Sequence, residues 1–351
     1  MHKASRAELR GAIAPFEQAS ASSATVQLVT SVGLYVALCA LMYFSLSISY
    51  LLTLALAIPA AAALVRTFIV QHDCGHGSFL RSPRANDVIG ALCGVLTLAP
   101  YANWKRQHAQ HHANWNNLDR RDSGADIYST CITVAEYRAL SPLQRVLYRL
   151  PRNVLLANFI IPPLVFLLFY RFPFDAPKTW TTERRSVWLT NAALTVMLLV
   201  FGFWLGFGSV AMVQLPIFFV TTVVGFWLFS VQHRFENGAW LRQSAWSFDE
   251  AALNGSSHLA LPRVLQWATG NIGYHHIHHL SPRVPNYRLA ACHQSSEFLR
   301  PAVSLSLRRA LAAGNLTLWD EDLGKLVRFS DVRGKLPAGD LEHLHRTPAG
   351  Y

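Results

Sequence analysis

Four runs of apolar residues punctuate the chain: Val26–Ile48, Tyr50–Val70, Ser186–Phe207 and Ser209–Val231. Each is long enough to cross a bilayer as a helix, which takes about 20 residues. Two further stretches break this rule. Val88–Pro100 is too short for a span and reads as a re-entrant or interfacial segment, and Asn153–Tyr170 is interrupted by Pro162 and Pro163. Polar positions sort the runs into pairs. The connections at Ser45–Ser49 and Gly206–Gly208 carry no charge. Tyr101–Arg152 carries Lys105, Arg106, Arg120, Arg121, Arg138, Arg145, Arg149 and Arg152, and Arg171–Arg185 adds Arg171, Lys178, Arg184 and Arg185. Basic loops stay cytoplasmic, so both regions share one side and Asn153–Tyr170 does not cross. The pattern predicts an all-α integral membrane protein, a single membrane-embedded domain over 1–351. Two transmembrane hairpins, at about 26–70 and 186–231, carry cytoplasmic or interfacial segments at 71–185 and 232–351. Both termini are expected in the cytoplasm. The N-terminal stretch to about Thr25 lacks the apolar core of a signal peptide, so the first span is expected to be retained.

Composition agrees: 52% of the 351 residues are hydrophobic and only 15% charged, well under the roughly one quarter of soluble domains. A net charge of +11 could indicate nucleic acid, but no nucleic-acid module is present, and cytoplasmic loops facing anionic lipid or an acidic partner account for it. The five cysteines are dispersed without framework spacing, which suits a reducing compartment. Arg66 lies inside the second apolar run but close to its end, so its side chain is expected to snorkel to the cytoplasmic surface.

The chemistry is carried by histidine. The first hairpin ends in His72-Asp73-Cys74-Gly75-His76, His108-Ala109-Gln110-His111-His112 follows the short segment, and His275-His276-Ile277-His278-His279 comes after the second hairpin. Residues three and four apart share a helix face. His72 with His76, and the triplets His108/His111/His112 and His275/His278/His279, can therefore each present their rings together, while His276 points away as a non-ligand. Eight imidazoles on one side of a membrane exceed the needs of one tetrahedral zinc, so two metals are implied. Imidazole suits iron, copper, nickel and zinc alike. Iron is favoured, because no acidic residues are placed as in the paired Glu-x-x-His motifs of soluble di-iron bundles, no His-Glu-x-x-His is present, and zinc has no redox chemistry.

The strings HDCGHGS, HAQHH and GNIGYHHIHHLSPRVPNY resemble the three histidine boxes of the membrane fatty acid desaturase family, and VQHRFE resembles its segment carrying a further histidine. The likeness runs from about Phe68 to Tyr287 and is greatest to bacterial acyl-lipid desaturases of the Δ12/ω6-like group. It implies a ligand set of His72, His76, His108, His111, His112, His275, His278 and His279, with His233 as a ninth. It also implies two non-haem irons, O2 as co-substrate, and a cis double bond introduced into an acyl chain on a lipid or on CoA. Asn271 is a candidate to hold a water near one iron, or else to cap the helix of the third box. Neutral ligands call for carboxylates behind them, and Asp73, Asp119 and Asp249 are candidates. Apolar walls are expected from Trp104, Trp115, Trp227 and Trp267. No flavin, haem or iron–sulfur motif is present, so electrons must come from a separate protein such as ferredoxin. The expected location is the bacterial inner membrane. The rival reading is a hydroxylase or ketolase of the same superfamily, acting on an alkane, carotenoid or sterol. The tail from Ser304 to Tyr351 mixes Trp319, Leu323 and Leu326 with charges and is expected to form an amphipathic cytoplasmic cap.

Overall fold

The structure is a computed structural model that describes residues 5–121, 130–300 and 303–333. Helix α1 (Arg6–Ile13) begins at a capping box between Ser5 and Glu8. The four predicted spans are α2 (Ala21–Ser45), α3 (Tyr50–Gly75), α9 (Thr181–Leu205) and α10 (Phe207–His233). Two of them outrun their apolar stretches at the C-terminal end, because backbone hydrogen bonding continues past the last apolar residue. Helix α3 runs on from Val70 to Gly75, and α10 ends at His233 rather than Val231. Histidines are thereby built into the rigid ends of spans.

Lipid offers no hydrophobic gain for pressing one span on another, so close backbone approach does the work. Ala57, Ala60, Ala61 and Ala63 of α3 are buried against Tyr35, Leu38 and Met42 of α2 and Val213 and Ile217 of α10. Ser45 and Thr53 share a buried hydroxyl hydrogen bond of 2.7 Å where the first hairpin turns.

Between the hairpins lie α4 (Pro83–Leu96), α5 (Tyr101–Asn114), α6 (Val134–Ala139), α7 (Pro142–Arg149) and α8 (Ile161–Leu167). The short apolar segment is α4, which meets α5 at a bend of 104°. The bend needs small residues. A Cβ on Gly94 would stand 2.6 Å from the Ala99 carbonyl oxygen, and one on Gly90 would enter the Tyr101 ring. Asn153–Tyr170 is likewise not a straight span. A π-helical turn at Leu156–Ile160 leads into α8, and the whole is bent by 51° from the α7 segment, the form of a broken span or re-entrant segment. Helix α7 leaves Leu143, Val146 and Leu147 exposed while Arg149 lies over the Tyr137 and Phe329 rings. Apolar and basic side chains on one short helix give it the composition of a membrane-surface helix.

The remaining polar region contains α11 (Phe248–Asn254), α12 (Arg263–Ala268), α13 (His275–Leu280), α14 (Asn286–Ser295), α15 (Leu307–Ala312) and α16 (Phe329–Arg333). The mostly helical fold is stitched by strands of two or three residues: β1 (Ile132–Thr133), β2 (His258–Ala260), β3 (Ser304–Ser306), β4 (Leu318–Asp320) and β5 (Lys325–Val327). Strands β1, β4 and β5 form one sheet, with Leu318 opposite Val327, and β2 pairs with β3 in parallel. Of the expected tail cap, Trp319 and Leu326 are buried with Trp115, Cys131 and Trp240, whereas Leu323 is exposed. Residues 334–351 of that tail lie outside the described residues. All five cysteines are free thiols.

Arg66 departs from expectation. Instead of snorkelling to water it is 8% exposed. Its Nη1 donates to the Trp267 carbonyl, and the guanidinium lies 4.3 Å from the centre of the Trp267 ring.

Candidate metal centre

Four elements deliver nine histidines to one place. The last turn of α3 carries His72, with His76 just beyond at its C-cap. Helix α5 carries His108, His111 and His112, α10 ends on His233, and α13 carries His275, His278 and His279. All but His76 are buried. The rings fall into two groups. In the first, His72, His76, His108, His112 and His278 each offer a nitrogen within 4.8 Å of the others. The second holds His111, His233 and His279 to the same limit, and His275 joins it with its Nε2 3.0 Å from His233 and 3.1 Å from His279.

Helix geometry explains the split. At about 100° per residue, His108 and His112 stand only about 40° apart, whereas His111 is turned about 60° to their other side. The same holds for His275 and His279 against His278. In each triplet the i,i+4 pair therefore grips one group while the remaining ring reaches across to the other, tying α5 and α13 to both.

The donor set suits metal ions. Two nitrogens bound to one cation at about 2.1 Å and about 90–110° apart are about 3.0–3.4 Å from each other. The Nε2 pairs His108–His112, His112–His278, His111–His233 and His111–His279 stand at 3.2, 3.0, 3.1 and 3.3 Å. Each neutral imidazole has one proton and one lone pair, so such a nest cannot satisfy itself with hydrogen bonds alone. The buried Nε2 of His76 has no protein partner at all. Burial, reinforced by the neighbouring imidazoles, pushes His108, His112, His275, His278 and His279 well below the usual histidine range. They are neutral at pH 7, the form that binds a metal.

Behind the rings, Asp73 is 2% exposed. Its Oδ1 is 3.0 Å from His72 Nδ1, which places the imidazole proton on Nδ1 and leaves Nε2 facing the group. Its Oδ2 accepts from the Asn286 backbone N–H at 2.6 Å and side-chain N–H at 2.7 Å. Asn286 was not among the sequence candidates. The only signal for it is its place in the PNY flank of the third box. Trp104 stacks on His108 at 4.7 Å, and the Trp115 ring centre is 3.8 Å from that of His233 with Nε1 donating to the Gly255 carbonyl.

Other candidates are used elsewhere. Asp119 pairs with Arg242 at 2.9 Å and accepts from the Gln243 N–H, and Asp249 pairs with Arg6 at 3.3 Å, both toward the surface. Asn271 takes a left-handed φ of 59° and donates its side-chain N–H to the Asn286 carbonyl at 3.3 Å. It does not cap α13, whose N-cap is Tyr274. Trp227 packs with Val65 and Leu228, Trp267 lies against Arg66, and neither contacts a box imidazole among the described residues. His276 lies outside both groups, with its Nε2 2.9 Å from the Leu299 carbonyl and 3.2 Å from His293.

Comparison with known proteins bears on this arrangement. A family model described as fatty acid desaturase matches residues 28–305. The fatty acid desaturase of Bacillus subtilis (strain 168) is 41% identical over 93% of this chain and 91% of its own length. The sn-1 oleoyl-lipid 12-desaturase of Synechocystis is 29% identical over 66% of this chain. A temperature-sensitive sn-2 acyl-lipid omega-3 desaturase (ferredoxin) from the chloroplast of Arabidopsis thaliana is 28% identical over 74%. This chain spans 65% and 59% of the lengths of those last two proteins. With a match across most of its length and histidine groups fit to hold metal in a membrane-spanning helical frame, this chain belongs to the fatty acid desaturase family, and it is an oxidoreductase that desaturates acyl chains.

Proposed function

We propose that the nine imidazoles hold two irons, five around one and four around the other, and that the enzyme places a cis double bond in an acyl chain carried on a membrane lipid. The observation that carries this reading is the division of nine closely spaced imidazoles into two adjoining groups. O2 is the co-substrate. The overall balance is loss of two hydrogens from neighbouring methylenes and reduction of O2 to two waters, with two electrons and two protons supplied from outside. Bound iron supplies the activation of O2 against unactivated C–H bonds, which no side chain can provide.

The chain's own residues position and protect. Asp73 holds the proton of His72 on Nδ1, Asn286 holds Asp73, and Trp104 and Trp115 wall the rings from water. The spans present the substrate from the bilayer, and its placement decides which C–H bond breaks. The lipid-linked substrate is supported by the words acyl-lipid and oleoyl-lipid in the names of two relatives, and a ferredoxin-type donor by the name of one. The basic loops favour an acidic donor and a cytoplasmic site at a bacterial inner membrane.

The test is lipid analysis by mass spectrometry in a host whose lipids are saturated, with and without this protein. New chains lighter by two hydrogens are expected. Chains heavier by one oxygen would replace this reading with a hydroxylase.

A further inference from the structure

Arg66 is a cation in a membrane-spanning helix that the metal centre does not use. It is 8% exposed, and its only hydrogen bond among the described residues runs from Nη1 to the Trp267 carbonyl. Its buried Nε has no partner, and no described carboxylate pairs with it. One carbonyl and one ring do not neutralise a desolvated guanidinium, and such a charge is costly unless an anion meets it.

The surroundings say which anion. Helix α12 packs on α3 and leaves Val264, Leu265 and Trp267 exposed at 76%, 41% and 44%. An apolar face of that kind, continuous with a span, sits at the level of lipid headgroups. Arg263, also exposed, stands four residues before Trp267 and so on the same face of α12. Two guanidinium-bearing positions thus flank one interfacial tryptophan, an arrangement for a phosphate ester whose acyl chains stay in the bilayer. Arg66 precedes His72 by six residues, about 9 Å of helix rise, within the reach of one acyl chain.

We infer that Arg66, Arg263 and Trp267 bind the phosphate of a membrane glycerophospholipid. This rests on the proposed lipid-linked substrate and names its class, a phospholipid rather than a glycolipid.

The test uses the purified full chain and native mass spectrometry, offered phosphatidylglycerol or monoglucosyl diacylglycerol with the same acyl chains. The wild type is expected to retain one phosphatidylglycerol with about tenfold preference over the glucosyl lipid. Arg66→Gln should lose that preference, and millimolar inorganic phosphate should not displace the lipid. Equal retention of both lipids by the wild type, retention of neither, unchanged preference in Arg66→Gln, or full displacement by phosphate would each overturn the assignment. Should Arg66→Gln fail to fold, the wild-type comparison still decides. Trp267→Leu, at a part-exposed position, provides a second variant and should weaken retention severalfold, whereas full retention there would count against the site. Retention is read without turnover, so an inactive desaturase would not mimic a missing lipid site, and new double bonds in the host's lipids report the desaturase separately from it.

Discussion

Replacement of His111 by alanine is expected to lower desaturation by more than about a hundredfold, beyond the 10–100-fold typical of residues that only support metal ligands. The reason is its position. His111 stands on α5 yet faces the second group, with its Nε2 3.1 Å from His233 and 3.3 Å from His279. Removing it opens that group and cuts a tie between α5, α10 and α13. Insertion should survive, since α5 is not one of the four spans. The measurements are turnover, bound metal and the yield of membrane-inserted protein. The same substitution at His276 provides the contrast. Its Nε2–H bond to the Leu299 carbonyl would be lost, costing stability of about 1–3 kcal/mol, yet turnover should stay within a few-fold of wild type. An equally inactive His276→Ala protein with its fold intact would contradict the assignment of rings in α13.

Asp73→Asn is expected to weaken metal retention 10–100-fold, with turnover falling in step. The exchange is nearly isosteric, so the effect is one of hydrogen bonding. The carboxylate accepts on both sides, from His72 Nδ1 at 3.0 Å and from two N–H groups of Asn286 at 2.6 and 2.7 Å. An amide has one accepting oxygen, so its NH2 must face a donor on one side or the other. Either His72 loses its tautomer or the link to the third box opens. Metal loss against a chelator, followed over time, measures this directly. Retention equal to wild type would leave Asp73 with no role beyond packing.

The four spans were legible because a bilayer demands long apolar runs, and the boxes because imidazoles three and four apart leave a plain trace in sequence. The crossing of His111 and His278 to opposite groups also follows from helix angles, once both segments are helical. Other features depend on contacts that no local pattern records. Asp73 and Asn286 are 213 positions apart, and nothing near Asp119 or Asp249 shows that each meets an arginine instead. Arg66 departs from the pattern for a related reason. Distance from the end of an apolar run says how far a side chain must reach to find water, but not that α12 lies across the way. The strands of two or three residues are too short for alternation to appear.

Elemental analysis of the purified full-length protein tests the central claim most directly, since two groups of imidazoles call for two redox-active ions. The expected result is about two irons per chain, with the ion of the second group lost in His111→Ala. A single tightly held zinc, or one iron per chain with full turnover, would contradict it.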